Sequence, residues 1–178
     1  MMNEFLKTKN LKLNLGCGNK KKDGWINIDS SDWAKPDLIM DLENVPYPFA
    51  TNSVVEINMK SVIEHLTLDT NKFFNILQEI YRICSDKALI YIECPHPNHR
   101  WQHADMTHVR SFHPESFKLL SKKTCKKLVA DGSTRSPLAL MYDIDFEIHE
   151  ASAGIDEIGI EHIKNILGTY DKTKTKSY

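Results

Sequence analysis

The sequence predicts an α/β protein built on an open, mostly parallel, twisted sheet, with flanking helices and an antiparallel edge hairpin near the C-terminus. Short apolar runs alternate with helical patterns along the chain, a glycine turn follows the first run, and acidic residues end the next two. Open sheets of this kind bind ligands beyond the carboxyl ends of their strands. A functional site is therefore expected at that edge.

The composition predicts one domain over residues 1–178, with residues 1–10 as a lead-in and residues 169–178 as a mobile polar tail. The chain is 41% hydrophobic and 26% charged, which is ordinary for a globular protein. Its net charge of -1 gives no general attraction to nucleic acid, and no apolar run is long enough to span a membrane. Four scattered cysteines and the lack of a secretory signal predict a cytoplasmic protein without nucleic-acid or membrane partners.

Five short runs are predicted as strands. The first precedes the glycine turn, the next two end at aspartates, and the last is apolar for most of its length, as in a strand buried on both faces. The predicted strands are Leu11–Leu15, Trp25–Asp29, Asp37–Asp41, Val54–Met59 and Ala88–Cys94.

The clearest helix is predicted between the fourth and fifth strands, where apolar residues recur at helical spacing after a cap at Asp69 or Thr70. Strand, helix and strand in this order form a parallel crossover. A second helix is expected to begin at Pro114 and to run towards Lys123, because proline favours the first helical position. The first crossover is much shorter, since residues 20–24 leave room for one helical turn at most.

The C-terminal part of the chain is predicted to contain the edge hairpin and a last helix. Ile144, Phe146 and Ile148 alternate with polar residues, which is typical of a half-buried strand, and residues 126–130 are its expected partner. Apolar residues recur at helical spacing between positions 155 and 167. This last helix offers a surface for a homodimer contact.

Gly16, Cys17 and Gly18 form a tight turn directly after the first strand. Glycine lets a ligand approach backbone that a side chain would block. The dinucleotide fingerprint requires a third glycine, but the chain has Lys21 there, which disfavours a nicotinamide cofactor. A glycine turn alone is also compatible with a simple connection between strands.

Two acids end the strands that follow the turn. Asp29 ends the second strand, where its carboxylate can accept hydrogen bonds from both hydroxyls of a ribose. Asp41 ends the third strand beside Leu42, and this pair suits an adenine ring with its exocyclic amine. The alternative for both acids is a strand end capped in solvent.

Four segments in chain order, LNLGCGN, WINID, DLENVPYPFATNSVVEI and SVIEHL, resemble the successive motifs of class I S-adenosylmethionine-dependent methyltransferases. The resemblance covers residues 11–120 and implies a Rossmann-like fold, with S-adenosyl-L-methionine as cofactor and S-adenosyl-L-homocysteine as product. The family often has an acid two residues before the first glycine, where this chain has an amide that can order the loop without a charge. The cofactor contacts implied by the resemblance are Asn14, Gly16, Cys17, Gly18, Asp29, Asp41, Leu42, Ser61 and His65.

The stretch HPNHRWQHADMTHVRSFHP holds five of the chain's eight histidines and leaves the fifth strand at the ligand-binding edge. Within it, THVRSFHPESF resembles a segment of one methyltransferase branch, of which several members are associated with glycan or nucleotide-sugar modification. A small-molecule or glycan acceptor, methylated at oxygen, is therefore expected. A hydroxyl nucleophile benefits from a base, and we predict His108 as that base, Asp105 as the residue that orients it, and Arg110 as the acceptor-binding group.

Other interpretations stay open from the sequence. His108 could pin the loop by a structural hydrogen bond, and Asp105 could form an ion pair with Arg110. The chain could also be a non-catalytic module that binds S-adenosylmethionine or a partner. A metal-dependent enzyme would use the loop itself, but the spacing matches no HExxH signature and no metal ligand is predicted; the ligands of that alternative would be His96, His99, His103, Asp105 and His108.

Overall fold

A computed structural model describes residues 8–152 and residue 154 of the protein. The described residues up to Glu147 belong to one compact unit, and those from Ile148 onward belong to another. The predicted last helix and its homodimer surface, the predicted polar tail and most of the predicted lead-in lie outside the described residues.

The core of the fold is a five-stranded, fully parallel sheet with strand order β3-β2-β1-β4-β5. The predicted open α/β sheet with flanking helices is therefore confirmed. All five predicted strands are present, at bounds that differ by a few residues: β1 (Leu11–Leu15), β2 (Ile26–Asp29), β3 (Leu38–Ile39), β4 (Val54–Lys60) and β5 (Cys84–Glu93).

Helix α1 (Thr70–Ile83) forms the crossover between β4 and β5. Asp69 caps it by accepting a hydrogen bond from the Lys72 N–H at 2.8 Å, an interaction that stabilises a helix by about 1 kcal/mol. Its apolar face packs on the sheet, where Ile76 and Ile83 are completely buried. The predicted helix and its cap are thus confirmed.

Three asparagines stand directly opposite one another on β2, β1 and β4. Asn14 donates to Oδ1 of Asn27 at 2.9 Å and accepts from the amide of Asn58 at 2.9 Å. Asn14 is 2% exposed and Asn27 is 5% exposed, so these amides satisfy one another inside the protein. We call this group the asparagine row.

The first two crossovers are short, as the sequence predicts. The chain passes from β1 to β2 through turns, in which the Lys20 N–H donates to the Cys17 carbonyl at 2.9 Å. It passes from β2 to β3 through one 3-10 turn, Asp32–Ala34. The carboxyl ends of β1, β2 and β3 therefore lie close together with little chain covering them.

Up to residue 152, the structure describes four short helices after β5: α2 (Arg100–Ala104), α3 (Pro114–Lys118), α4 (Lys122–Ala130) and α5 (Leu138–Met141). The predicted start at Pro114 is correct, but α3 ends at Lys118 rather than near Lys123. A new helix begins because the Ser121 hydroxyl caps α4 by accepting from the Thr124 N–H at 3.3 Å.

The predicted antiparallel edge hairpin is wrong for the described residues. Its first expected strand, residues 126–130, belongs to α4. Around its second, the Ile144 N–H donates to the Ala139 carbonyl and the Phe146 N–H donates to the Leu120 carbonyl, at 3.2 and 2.9 Å. The alternating pattern marks two anchors that pack on the helices, with Ile144 completely buried.

The prediction that the fifth strand is buried on both faces is also wrong. β5 lies at the edge of the sheet, and Leu89 and Tyr91 are 45% and 49% exposed. Its apolar run therefore packs against α1 and β4 but leaves large side chains open in the part of the chain that the structure describes. No helix among the described residues has the length and apolar character needed to cross a bilayer.

Candidate active site

A cleft of about 240 Å³ opens at the carboxyl edge of the sheet, and the turn after β1, the end of β2 and the segments after β3 and β4 line it. Parallel strands end at the same edge, so residues far apart in sequence meet there. Six of the nine predicted cofactor contacts line this cleft: Gly16, Asp29, Asp41, Leu42, Ser61 and His65.

The glycine turn brings bare backbone to the cleft. Gly16 has a φ of +61°, and a Cβ at this position would lie 2.5 Å from Cγ2 of Val62. Neither the backbone conformation nor the space therefore allows a side chain. Gly18 has a φ of +48° and donates its N–H to Oδ2 of Asp29 at 2.9 Å, which joins the turn to the end of β2.

Asp29 combines a structural role with free acceptor capacity. Oδ2 accepts from the Gly18 N–H and Oδ1 accepts from the Ser31 N–H, both at 2.9 Å. Each carboxylate oxygen has two lone pairs. Both oxygens can therefore accept a further hydrogen bond, such as one from each hydroxyl of a ribose.

The segment after β3 supplies an acid beside an apolar side chain. The Asp41 carboxylate accepts from the Glu43 N–H at 2.9 Å and from the Asn44 amide at 3.2 Å. Leu42 is 7% exposed, and its carbonyl accepts from the Tyr47 hydroxyl at 2.7 Å. This fixed pair presents a polar and an apolar wall, which suits a flat ring that carries an amine.

Ser61 is held in an unusual conformation where the chain leaves β4. Its φ is +53°, a left-handed value that costs energy in residues other than glycine, and its N–H donates to the Glu93 carbonyl at 2.8 Å. The chain then turns sharply into the 3-10 turn Ile63–His65. This sharp turn directs the segment with His65 along the cleft instead of continuing the strand.

The other three predicted cofactor contacts do not line the cleft. Asn14 belongs to the asparagine row and donates to the Lys20 carbonyl at 3.0 Å, so it orders the glycine turn from below. Cys17 is 5% exposed, and burial together with the Asp29 carboxylate raises the pKa of its thiol. Gly18 acts through its bond to Asp29. These residues shape the turn, and their direct contacts with a cofactor stay predictions.

Two histidines meet beside the cleft. The rings of His65 and His108 pack edge to face with centroids 4.6 Å apart. Nδ1 of His65 lies 3.0 Å from the Thr107 hydroxyl, which donates to Oδ1 of Asp105 at 2.6 Å. Oδ2 of Asp105 lies 3.7 Å from Nε2 of His108. The predicted pair of Asp105 and His108 is thus brought together.

Asp105 is fixed as an acceptor in this arrangement. Its Oδ1 accepts from both the hydroxyl and the N–H of Thr107, at 2.6 and 2.9 Å. These hydrogen bonds hold the pKa of Asp105 below its ordinary value. The residue therefore presents a carboxylate to His108 at neutral pH.

Arg110 does not have the acceptor-binding position that the sequence suggests. Its Nε donates to the Thr67 carbonyl at 2.7 Å, its Nη2 donates to the Asp69 carbonyl at 3.1 Å, and its guanidinium lies 4.2 Å from the ring centre of Phe73. The alternative ion pair with Asp105 is not present either, since Asp105 bonds to Thr107 instead. Arg110 fastens the loop to the start of α1.

The remaining histidines of the loop have local structural roles. Nδ1 of His99 caps α2 by accepting from the Trp101 N–H, and Nδ1 of His113 caps α3 by accepting from the Glu115 N–H, at 3.3 and 3.2 Å. Nδ1 of His96 accepts from the Asn98 N–H at 3.2 Å, and Nε2 of His103 lies 3.0 Å from the Pro97 carbonyl. A metal site built from the loop alone is therefore not formed among the described residues.

Glu64 is the residue that sequence analysis did not single out. It is completely buried, and neither of its carboxylate oxygens has a hydrogen-bond partner. Burial and the nearby Glu64 carboxylate raise the pKa of Cys94 to about 11, so this thiol is neutral. Glu64, His65 and His108 each place one donor atom so that all three atoms lie within 4.8 Å of one another. The available signal was an acid and a histidine side by side among the apolar residues of VIEHL.

Comparison with known proteins supports the fold. No protein-family model and no curated protein matches the chain. Among solved structures, the chain is similar to a SAM-dependent methyltransferase from Archaeoglobus fulgidus, with a TM-score of 0.51 and 17% identity over 93% of this chain and 80% of that chain. The likeness establishes a Rossmann-like α/β fold, and the chemistry must be argued from the site.

Proposed function

We propose that the protein transfers a methyl group from S-adenosylmethionine to a hydroxyl of a small-molecule or glycan acceptor. One observation carries this proposal: six residues expected from the motif order surround a single cleft at the carboxyl edge of the sheet. In the proposed mode, Asp29 binds the ribose, Asp41 and Leu42 frame the adenine, and the methionine part passes over Gly16. The similar fold of a SAM-dependent methyltransferase is consistent with this assignment.

The proposed reaction is an in-line displacement at the methyl carbon. The acceptor oxygen forms the new C–O bond while the C–S bond breaks, and its electron pair stays on sulfur to give neutral S-adenosylhomocysteine. The hydroxyl proton must leave to a base or to water. Since sulfur is already an activated leaving group, the protein's main contribution is alignment, which can supply about 7–11 kcal/mol in favourable cases.

His65 and His108 are the proposed acceptor-side residues. His65 lines the cleft and contacts the His108 ring, and Oδ2 of Asp105 lies 3.7 Å from Nε2 of His108. In this proposal the acceptor hydroxyl enters beside His65. His108, oriented by Asp105, then promotes the loss of the hydroxyl proton. Such assistance is worth about 10²–10⁴-fold in rate.

Calorimetry tests the cofactor directly. S-adenosylmethionine and S-adenosylhomocysteine are each expected to bind with one site per chain, whereas nicotinamide dinucleotides are not. Asp29→Ala should weaken S-adenosylhomocysteine binding by about tenfold or more, because two hydrogen bonds to a carboxylate are lost. Asp86→Ala, at an exposed aspartate of β5, is the matched control and should bind normally. Failure of the wild type to bind either sulfur ligand would disprove the proposal.

His108→Ala separates catalysis from cofactor binding. Its affinity for S-adenosylhomocysteine should equal that of the wild type, while turnover with a hydroxylated acceptor should fall by about 10²-fold or more. Formation of S-adenosylhomocysteine from S-adenosylmethionine in the presence of pooled hydroxylated acceptors provides the assay. His103→Ala changes an exposed histidine of the same loop and should keep full turnover. Wild-type turnover by His108→Ala would remove His108 from the mechanism.

A further inference from the structure

Glu64 presents a buried carboxylate that lacks a partner. Its side chain is fully buried, and Oε1 and Oε2 make no hydrogen bond. The main chain holds it firmly, because the Glu64 carbonyl accepts from the N–H groups of Val109 and Arg110 at 2.9 and 3.1 Å. An isolated buried carboxylate is costly by several kcal/mol. A residue in this position requires a cation or a proton donor beside it.

His108 supplies a second buried atom without a partner. Its side chain is 6% exposed, and its Nδ1 is buried and makes no hydrogen bond. The other ring nitrogen, Nε2, faces Asp105 at 3.7 Å. A proton on Nε2 is favoured by this carboxylate, which leaves the Nδ1 lone pair as a donor to an electrophile.

His65 also has a ring nitrogen with a lone pair that can serve as a donor. The Thr107 hydroxyl gives its proton to Asp105 at 2.6 Å and lies 3.0 Å from Nδ1 of His65. With its own proton committed, the hydroxyl can only accept from His65, so Nδ1 carries the proton and the Nε2 lone pair is free. One carboxylate, Asp105, thus orients two histidines, as is common around metal-binding imidazoles.

We propose that Glu64, His65 and His108 bind one divalent first-row transition-metal ion, such as Zn²⁺ or Mn²⁺. Two imidazoles and a carboxylate form a donor set that these ions accept. Donor atoms at about 2.0–2.2 Å from an ion lie about 3–3.5 Å apart. Each of the three residues has one donor atom that lies within 4.8 Å of a donor atom of the other two, so a movement of about 1–2 Å by side-chain rotation closes the site.

The position of the ion gives it a role in the proposed methyl transfer, and this role rests on that proposal. His65 belongs both to the ligand set and to the cleft wall. Three protein ligands leave coordination positions open, where an acceptor hydroxyl can bind. The ion lowers the pKa of that hydroxyl, its proton passes to water, and the resulting oxygen attacks the methyl carbon. His108 then acts through the ion, and the acceptor class is a compound that can present a hydroxyl to a metal.

The test uses the full chain, stripped with a chelator and titrated with Zn²⁺ and with Mn²⁺ by calorimetry in the absence of cofactor. One equivalent of ion is expected to bind. Glu64→Gln and His108→Asn should each abolish detectable binding, while circular dichroism and S-adenosylhomocysteine affinity match the wild type. Thr107→Val removes the hydroxyl that orients His65 and should lower metal affinity by about 10–100-fold.

The controls separate this site from adventitious binding. His103→Asn removes an exposed histidine of the same loop and should bind the ion as the wild type does. No binding by the wild type, or equal binding by the wild type and both ligand variants, overturns the proposal. Metal binding without S-adenosylhomocysteine binding would disprove the proposed function and leave the metal site standing.

Discussion

Gly16 shows at the scale of one residue how the fold and the cleft depend on the same atoms. Its backbone adopts a left-handed conformation, and Val62 fills the space where a Cβ would lie. Val62 itself follows Ser61, at the sharp turn that leads to His65. A substitution at Gly16 therefore pushes on the segment that carries His65.

Gly16→Ala is expected to destabilise the protein and to weaken S-adenosylhomocysteine binding. Its left-handed backbone costs about 1–2 kcal/mol with a side chain, and the contact with Val62 adds to this. Gly24→Ala is the matched control, because Gly24 has a φ of +76° but has no atom within 4 Å of a built Cβ. Urea unfolding and calorimetry should show the larger loss of stability, and the only loss of affinity, for Gly16→Ala. Equal losses in both variants would contradict the close approach.

Single residues also show which parts of the site were predictable from sequence. Gly16, Asp29 and Asp41 could be predicted because each lies at or just beyond the end of a strand, and parallel strands end at one edge. The roles of Arg110 and Glu64 could not, because both depend on which backbone groups the returning loop meets. Arg110 meets the carbonyls of Thr67 and Asp69 before α1, and the Glu64 carbonyl binds the loop while its carboxylate is buried.

At the scale of elements, the ion pair between Glu79 and Arg82 lies within α1, and both side chains also bond to the segment between β3 and β4. The Glu79 side chain is 9% exposed and accepts from the Tyr47 N–H at 2.6 Å and from the Arg82 guanidinium at 2.6 and 2.8 Å. Arg82 also donates to the Phe49 carbonyl at 2.9 Å. Although burial raises the pKa of Glu79, the bonds from Arg82 and Tyr47 outweigh it and leave that pKa below its ordinary value.

This pKa shift predicts a loss of stability in acid. A carboxyl whose pKa is lower in the folded state stabilises the fold at pH values above its unfolded pKa of about 4.3, and this contribution is lost as the pH falls through the folded value. Glu79→Gln should therefore be less stable than the wild type at pH 7, and the difference should shrink as the pH falls below about 4. Urea unfolding over this range measures it.

Glu115→Gln is the control for this acid effect. Glu115 pairs with Lys118 on the surface, where both side chains are more than half exposed and solvent screens the pair. Its stability difference from the wild type should be small at every pH. A Glu79→Gln difference that stays constant with pH would show that the ion pair does not respond to titration of Glu79.

The prediction of helices and strands succeeded where local sequence signals agreed with packing. It failed where the structure depended on backbone hydrogen-bond partners far away in the sequence. The cap at Asp69 and the apolar spacing of α1 are local, and both were predicted. The alternation at Ile144 and Phe146 is equally regular, but their N–H groups bond to the carbonyls of Ala139 and Leu120 rather than to another strand. The alternating pattern therefore identified Ile144 as buried and Phe146 as partly buried, but Ile148 is 39% exposed and the pattern did not identify the backbone partners.

At the scale of the whole molecule, the sheet order is β3-β2-β1-β4-β5. The strands whose carboxyl ends form the cleft, β1 to β4, are therefore direct neighbours in the sheet. Crossover rules fix the parallel connection through α1. The sequence could not place β5 at an edge, because an apolar strand has the same pattern in the centre of a sheet as at an open edge. That distinction depends on which chain segment pairs with it.

Asn58→Ala tests how much the asparagine row contributes to the sheet. The change removes the amide that donates to Oδ1 of Asn14, which is then buried without a donor. The expected cost is about 1–3 kcal/mol in the free energy of unfolding. Asn75→Ala, at an exposed position of α1, should change stability by about 0.5 kcal/mol or less. A cost for Asn58→Ala no larger than for Asn75→Ala would show that the row contributes little.

The asparagine row also acts as an alignment mark between neighbouring strands. A strand that slips by two residues keeps its apolar face inward, so hydrophobic burial alone cannot reject the slipped sheet. The amides can reject the slipped sheet, because they pair only when Asn27, Asn14 and Asn58 occupy matching register positions. Gly16 and Asp29 each follow their asparagine by two residues. Pairing of the amides therefore fixes the register of the neighbouring strands, and with it the positions of Gly16 and Asp29 at the edge of the sheet where the cleft lies.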